Sequence, residues 1–201
     1  MPKGQPPTLH GRLRADTRHL HDHLESAVDI EKVILSRVTY AGYLERLHRV
    51  HVAAEAVLCA IDFAPFGFDY AHHHRSRAVE DDLKALGNAA SSGDAVPTFA
   101  VLPSLDHALG AVYVVEGSAL GARAILPQIK SSLGLDEAHG ASFFIGFGTE
   151  GKAVWRAVLA AIDDIPADSA RADAVVAGAI AMFNFFTDHL PSEAVTATRQ
   201  A

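Results

Sequence analysis

The sequence is short of several things, and each shortage narrows what it can be. Cysteine occurs once, as Cys59. That excludes an intrachain disulfide and any site built from several thiolates. Positive charge is in deficit: 17 Lys and Arg stand against 24 Asp and Glu, for a net charge of −7. Nothing therefore favours a nucleic-acid partner. No block of like charge reads as an interaction tail. No stretch reaches the roughly 18 consecutive apolar residues that suggest a membrane span. Met1 to Thr8 has no apolar signal core. No alternating strand pattern, internal repeat, flavin motif or nicotinamide motif is visible. Together these shortages fit a protein of the reducing cytoplasm, with no membrane partner.

What is present is a chain of 201 residues, 49% of them apolar and 20% charged. That is enough for one domain with a single substantial core. Cys59 lies in the apolar run Val57-Leu58-Cys59-Ala60-Ile61 and reads as a buried structural thiol. Histidine is the unusual count, at 12.

Periodicity and punctuation predict an all-α fold. A first helix runs from near Leu9 to Ala27, and a second from an N-cap at Thr39 to Ile61. Pro65 and Gly67 break the chain after it. A third helix spans His74 to Leu86 and stops at Gly87. Asn88 to Pro97 is a loop. Pro103-Ser104 opens a long helix to Leu133, which Pro127 kinks or divides. A fifth helix starts at Ile145 or Thr149 and ends at Ile165. A sixth runs from Asp168 to Leu190. The segments 1–8 and 191–201 are expected to be flexible ends of a single 9–190 domain.

The first helix carries the sharpest signal. At about 100° per residue, Leu13, Thr17, Leu20, His21 and Leu24 share one face, which predicts His21 in the apolar stripe. His19 and His23 fall about 160° away, so the three histidines cannot converge on one ion. Glu25 is one turn after His21, within hydrogen-bonding reach. Arg14 is two turns before it, about 10 Å away. A neutral imidazole can hold haem iron through one nitrogen while a carboxylate fixes the other. A cation at the distance of Arg14 can pair with a haem propionate. The same spacing also fits a core histidine stapled to Glu25, and both readings stand at this point.

The long helix carries Gly110, Tyr113, Gly117, Ser118 and Gly121 among small residues. Each interior glycine costs roughly 1 kcal/mol relative to alanine. Gly117 and Gly121, one turn apart, leave a bare groove. Either a neighbouring helix or the face of a flat ligand fits it, with the Ser118 hydroxyl alongside.

The pattern Leu13-Arg14-x-x-Thr17-x-x-x-His21-x-x-x-Glu25 resembles the proximal helix of haem oxygenases. Tyr113-Val114-Val115-Glu116-Gly117-Ser118-x-Leu120-Gly121-Ala122 is similar to the distal helix of the bacterial members, especially those that accompany bacteriophytochromes. Phe143-Phe144-x-x-Phe147, with Lys152 and Trp155-Arg156, is similar to the segment that lines the haem edge. The resemblance covers about residues 9 to 190. It implies an all-α single domain with haem sandwiched between the proximal helix and a long, kinked distal helix. It implies His21 as the iron ligand, and Gly117, Ser118 and Gly121 as the catalytic distal wall. Thr17 and Glu25 lie beside the ligand, and Arg14, Tyr113, Lys152 and Arg156 hold the propionates.

Haem b is then both cofactor and substrate, opened by O2 to biliverdin (IXα by default), carbon monoxide and ferrous iron. The resemblance further implies electrons from an outside ferredoxin or reductase, and a bacteriophytochrome as the user of the bilin. Ser118 stands where mammalian members carry an aspartate, so water must relay protons.

His72-His73-His74 reads as a solvated loop, and His48, His51, His107, His139 and His189 as surface or partner-facing residues. Rival readings are a non-catalytic haem carrier on the same scaffold, a thiamin hydrolase using Cys59, and a di-iron oxidase, for which no convincing ligand set appears.

Overall fold

The computed structural model describes residues 8–88, 95–146 and 148–191. Most of the flexible ends expected from sequence, and part of the 88–97 loop, lie outside the described residues. Among those described there are eight α-helices and no β-strand: α1 (Leu9–Val28), α2 (Ile30–Val33), α3 (Arg37–Leu58), α4 (Ser76–Ala85), α5 (Leu105–Ala122), α6 (Leu126–Leu133), α7 (Gly148–Asp163) and α8 (Ala170–His189). The all-α expectation holds.

Several boundaries differ from the sequence reading: the second expected helix ends at Leu58 rather than Ile61, the third runs from Ser76 to Ala85 rather than His74 to Leu86, and three further differences have a visible cause. α1 stops at Val28 because Asp29 turns left-handed at φ 47°, and its side chain then accepts from Lys32 N to start α2. α3 starts earlier than expected. Ser36, not Thr39, is its N-cap, and Thr39 closes the reciprocal capping box. The long helix is divided one turn before Pro127, by a 3-10 turn at Arg123–Ile125. The proline ring clashes with the carbonyl four residues back, so α5 cannot pass through it. Pro127 sits instead in the first turn of α6.

The core forms around α5 and α8, the most extensive helix pair, with α1 packed on α8 and α7 on α5. Glycine sets how closely α5 and α8 approach. A Cβ on Gly110 would stand 1.9 Å from Val175 O, and one on Gly178 would stand 1.9 Å from His107 O. Real Cβ atoms cannot approach that far, so the backbones meet because both positions lack one. Arg171 bonds Asp106 across the same pair at 2.9 Å. Arg12 ties α1 to the α7–α8 connection through Ala167 O at 2.7 Å. Asp82 on α4 accepts from the backbone N–H groups of Ser142 and Phe143 at 2.7 and 2.8 Å, which fixes the 3-10 turn Ser142–Ile145.

One expectation about apolar length needs correction. The stretch Leu105–Leu133 is long and apolar enough to cross a membrane by composition. Its first half is buried against α8 and carries the buried acid Glu116, as a core helix does.

Candidate active site

α1 packs along Leu13 and Thr17, both buried, then Leu20 and Leu24, both half-buried. His21 was expected within this stripe. Instead its side chain is 56% exposed. The physical reason is phase: His21 lies about 70° from the centre of the stripe, so packing on α8 leaves it at the rim. Its ring meets Phe183 of α8 edge-on, with centroids 6.2 Å apart. Its Nδ1 faces Glu25 Oε2 at 3.6 Å and Asp22 Oδ1 at 3.8 Å. That orientation leaves Nε2 as the atom able to take a metal. Thr17 does not reach outward, because its hydroxyl donates to Leu13 O at 2.7 Å within the helix.

Arg14 is exposed on the same helix and lies close enough to Tyr113 to act on it. Burial raises the Tyr113 pKa, and the nearby guanidinium partly offsets the rise. Tyr113 also packs against His10 at 5.8 Å and Trp155 at 5.4 Å. α7 thus brings Trp155 to α5. Its neighbours Lys152 and Arg156 are exposed on the following surface, linked by Arg156 Nε donating to Lys152 O at 3.1 Å. Phe147 lies outside the described residues.

The two glycines of the distal groove have different surroundings. A Cβ on Gly117 would stand 3.6 Å from the Trp155 ring, so a neighbouring helix does line that part. A Cβ on Gly121 would have nothing within 4 Å. Gly121, Ser118 and Leu120 are exposed, and so is His21. Among the described residues, no hydrogen bond, ion pair or ring contact joins His21 to α5. The set therefore presents an exposed imidazole on one helix, bare backbone at Gly121 on another, and the Arg14 cation beside a tyrosine. Haem needs a nitrogen ligand, apolar contact, close backbone approach and a cation for its propionates, and these residues fit it.

The buried histidines correct the sequence reading. His51 is 1% exposed, held between the rings of Phe143 and Phe186, rather than at the surface. Burial, with Arg75 nearby, holds its pKa well below the usual value. His73 belongs to no solvated loop: it is buried, with Nε2 3.1 Å from Glu116 Oε1. Tyr70 OH donates to the same oxygen at 2.9 Å. His139 and His189 are exposed as expected, while His48 and His107 are half-buried.

Sequence reasoning missed this cluster. Arg75 is 2% exposed, and its Nη1 donates to Val115 O at 3.1 Å and Ser118 Oγ at 3.5 Å. The available signal was Glu116, an acid inside the apolar run Val112–Gly117. A buried carboxylate demands buried partners.

Comparison with known proteins places the chain. The sequence profile described as heme oxygenase matches residues 7–191. A heme oxygenase of Xanthomonas campestris is 36% identical over 160 residues, covering 78% of this chain and 91% of that protein. Heme oxygenase PigA of Pseudomonas aeruginosa is 31% identical over 182 residues, covering 89% of each. Among solved structures, the NO- and CO-bound heme oxygenase of Neisseria meningitidis shares the fold, with a TM-score of 0.73 over 91% of this chain and 90% of that one, at 24% identity. The chain is an all-α, haem-degrading oxidoreductase. It belongs to the haem oxygenase family, whose substrate is haem.

Proposed function

We propose that the protein opens haem to biliverdin, carbon monoxide and ferrous iron, using O2 and electrons from a ferredoxin or reductase. The carrying observation is His21, an exposed imidazole whose Nδ1 is turned to carboxylates while Nε2 is left for a metal. When bound, haem supplies the iron that activates dioxygen and the porphyrin that is oxidised.

The chain's own residues do the rest. His21 would hold the haem iron through Nε2, as a neutral imidazole donor. Glu25 holds the tautomer of His21 and makes it a better donor. Arg14 and Tyr113 orient the substrate by its propionates, with Lys152 and Arg156 contributing from α7. That orientation decides which meso position meets the distal wall, and the IXα isomer is the expected product. Gly121 lets the α5 backbone approach the substrate face, and Gly117, whose Cβ side meets Trp155, extends that wall. Ser118 offers a hydroxyl there without a strong acid. The motif likeness to members accompanying bacteriophytochromes supports a role for the product as a phytochrome chromophore.

The test is to add haemin, then ascorbate or a reductase system, and follow the visible spectrum. Loss of the Soret band with growth of a biliverdin band is expected. A stable Soret band under turnover conditions would overturn the reading.

A further inference from the structure

The end of α3 meets the start of α4, and the join carries a thiol, an imidazole and a carboxylate that the haem site does not use. Cys59 is the C-cap of α3, and its N–H donates to Glu55 O at 2.9 Å, so the two side chains leave the helix one turn apart. The chain then loops out and returns at His73 to Ser76. Buried Glu55 holds the return: it accepts from Ser76 N at 2.8 Å and from the Ser76 hydroxyl. The return sets His74 Nδ1 3.8 Å from Cys59 Sγ and 3.5 Å from Glu55 Oε2. Glu55, Cys59, His74 and Ser76 line an open cavity of about 430 Å³.

Three features of this cluster suit a metal ion. An ion roughly 2.3 Å from sulfur and 2.0–2.1 Å from nitrogen, as zinc binds, sees donors 3.8 Å apart at an angle of about 120°, close to tetrahedral. Next, one Nδ1 faces both a sulfur and a carboxylate. With a single proton or lone pair it serves only one of them. An ion between Nδ1 and Sγ, with a bound water donating to Glu55 Oε2, serves all three groups. Finally, the backbone N–H of His73 reaches the Cys59 sulfur and favours its thiolate, the form that binds metal.

We propose that Cys59 and His74 form a binding site for a thiophilic divalent cation of the zinc class, which clamps the end of α3 to the start of α4. Thiolate and imidazole together select such an ion over magnesium or calcium. At rest the thiol keeps its proton; binding forms the metal–sulfur bond and releases that proton to solvent. Two protein donors leave the other positions to water from the cavity, so the ion exchanges rather than staying locked in a closed site. Glu55 acts through that water and is a positioning residue. The site stands whether or not the protein opens haem.

Cadmium is the probe for binding, because its bond to a thiolate gives an ultraviolet charge-transfer band and Cys59 is the one cysteine of the chain. Titrating the haem-free protein should raise the band to a one-to-one end point. His74→Phe should weaken binding at least tenfold, and Cys59→Ala should remove the band. No band at a tenfold excess of cadmium, or undiminished affinity in His74→Phe, would overturn the site. Zinc is the probe for the clamp. At about a hundredfold over its Kd it should raise the Tm of the haem-free protein by about 5–10 °C, and that of either variant by less than half as much. His21, Asp22 and Glu25 also lie close enough to share an ion. An equal rise in all three proteins would place the zinc there, and the clamp would be wrong.

Discussion

His21 Nδ1 stands 3.6 Å from Glu25 Oε2, one helical turn away on α1, with both side chains more than half exposed. At that distance the carboxylate orients the imidazole by charge, and a small movement makes a hydrogen bond. Glu25→Gln keeps the shape and removes the charge. The haem-bound variant should show a higher iron midpoint potential, because the imidazole becomes a poorer donor, and an affinity loss of less than about tenfold. Spectroelectrochemistry checks this. A potential that is unchanged or lower would mean that Glu25 does not act on His21.

The glycines of α5 should separate stability from binding. Gly178→Ala or Gly110→Ala puts a Cβ into backbone and should cost about 1–3 kcal/mol or more, read as a lowered Tm of the protein without haem. Gly121→Ala meets nothing within 4 Å and should leave that Tm equal or higher, since alanine favours helix by up to about 1 kcal/mol. Gly121→Phe should keep the fold and weaken haem binding. If Gly121→Phe unfolds the protein, the open space beside Gly121 is not a binding surface.

Acid should destabilise the fold through His51. Burial, with Arg75 nearby, holds its folded pKa well below the ordinary value, so the folded state excludes a proton that the unfolded chain accepts below about pH 6.5. Its contribution is therefore complete above that pH and is lost as pH falls, by at most about 1.4 kcal/mol per unit. His48 is shifted in the same direction, mainly by burial. Urea unfolding at pH 7.5 and 5.5 should show a smaller difference for His51→Phe than for the unsubstituted protein. Equal differences would contradict the buried neutral state.

Cys59 should be sluggish. Burial, reinforced by the Glu55 carboxylate, pushes its thiol up to about 11. At pH 8 its thiolate fraction is then roughly two orders of magnitude below that of free cysteine. Iodoacetamide labelling followed by mass spectrometry should be slow in the folded protein and fast in urea. Rapid labelling of the folded protein would revive a nucleophilic role for this residue.

Much of the fold was legible because amphipathic periodicity and glycine or proline stops are local signals. Pro127 marked the division of the long helix, although the break falls one turn earlier, where the ring's clash is relieved. The His21–Glu25 spacing and the Gly117–Gly121 spacing were legible for the same reason. What failed was non-local. Helical phase set His21 about 70° from the centre of its stripe, but not how wide a strip of α1 the packing on α8 would cover. Nor could it show that Trp155 lines Gly117, that Gly178 is the partner of the α5 crossing at Gly110, or that His51, His73 and Arg75 sink into the core. A buried histidine or arginine looks like a surface one until its partners are known, and Glu116, Tyr70 and Phe143 are far from it in sequence.

The most direct test of the central claim is the electron paramagnetic resonance and absorption spectrum of ferric haem bound to the His21→Ala variant, with and without added imidazole. The account predicts loss of the axial nitrogen signature and of turnover, with the spectrum restored by imidazole. A variant whose spectrum and turnover match those of the unsubstituted protein would contradict it.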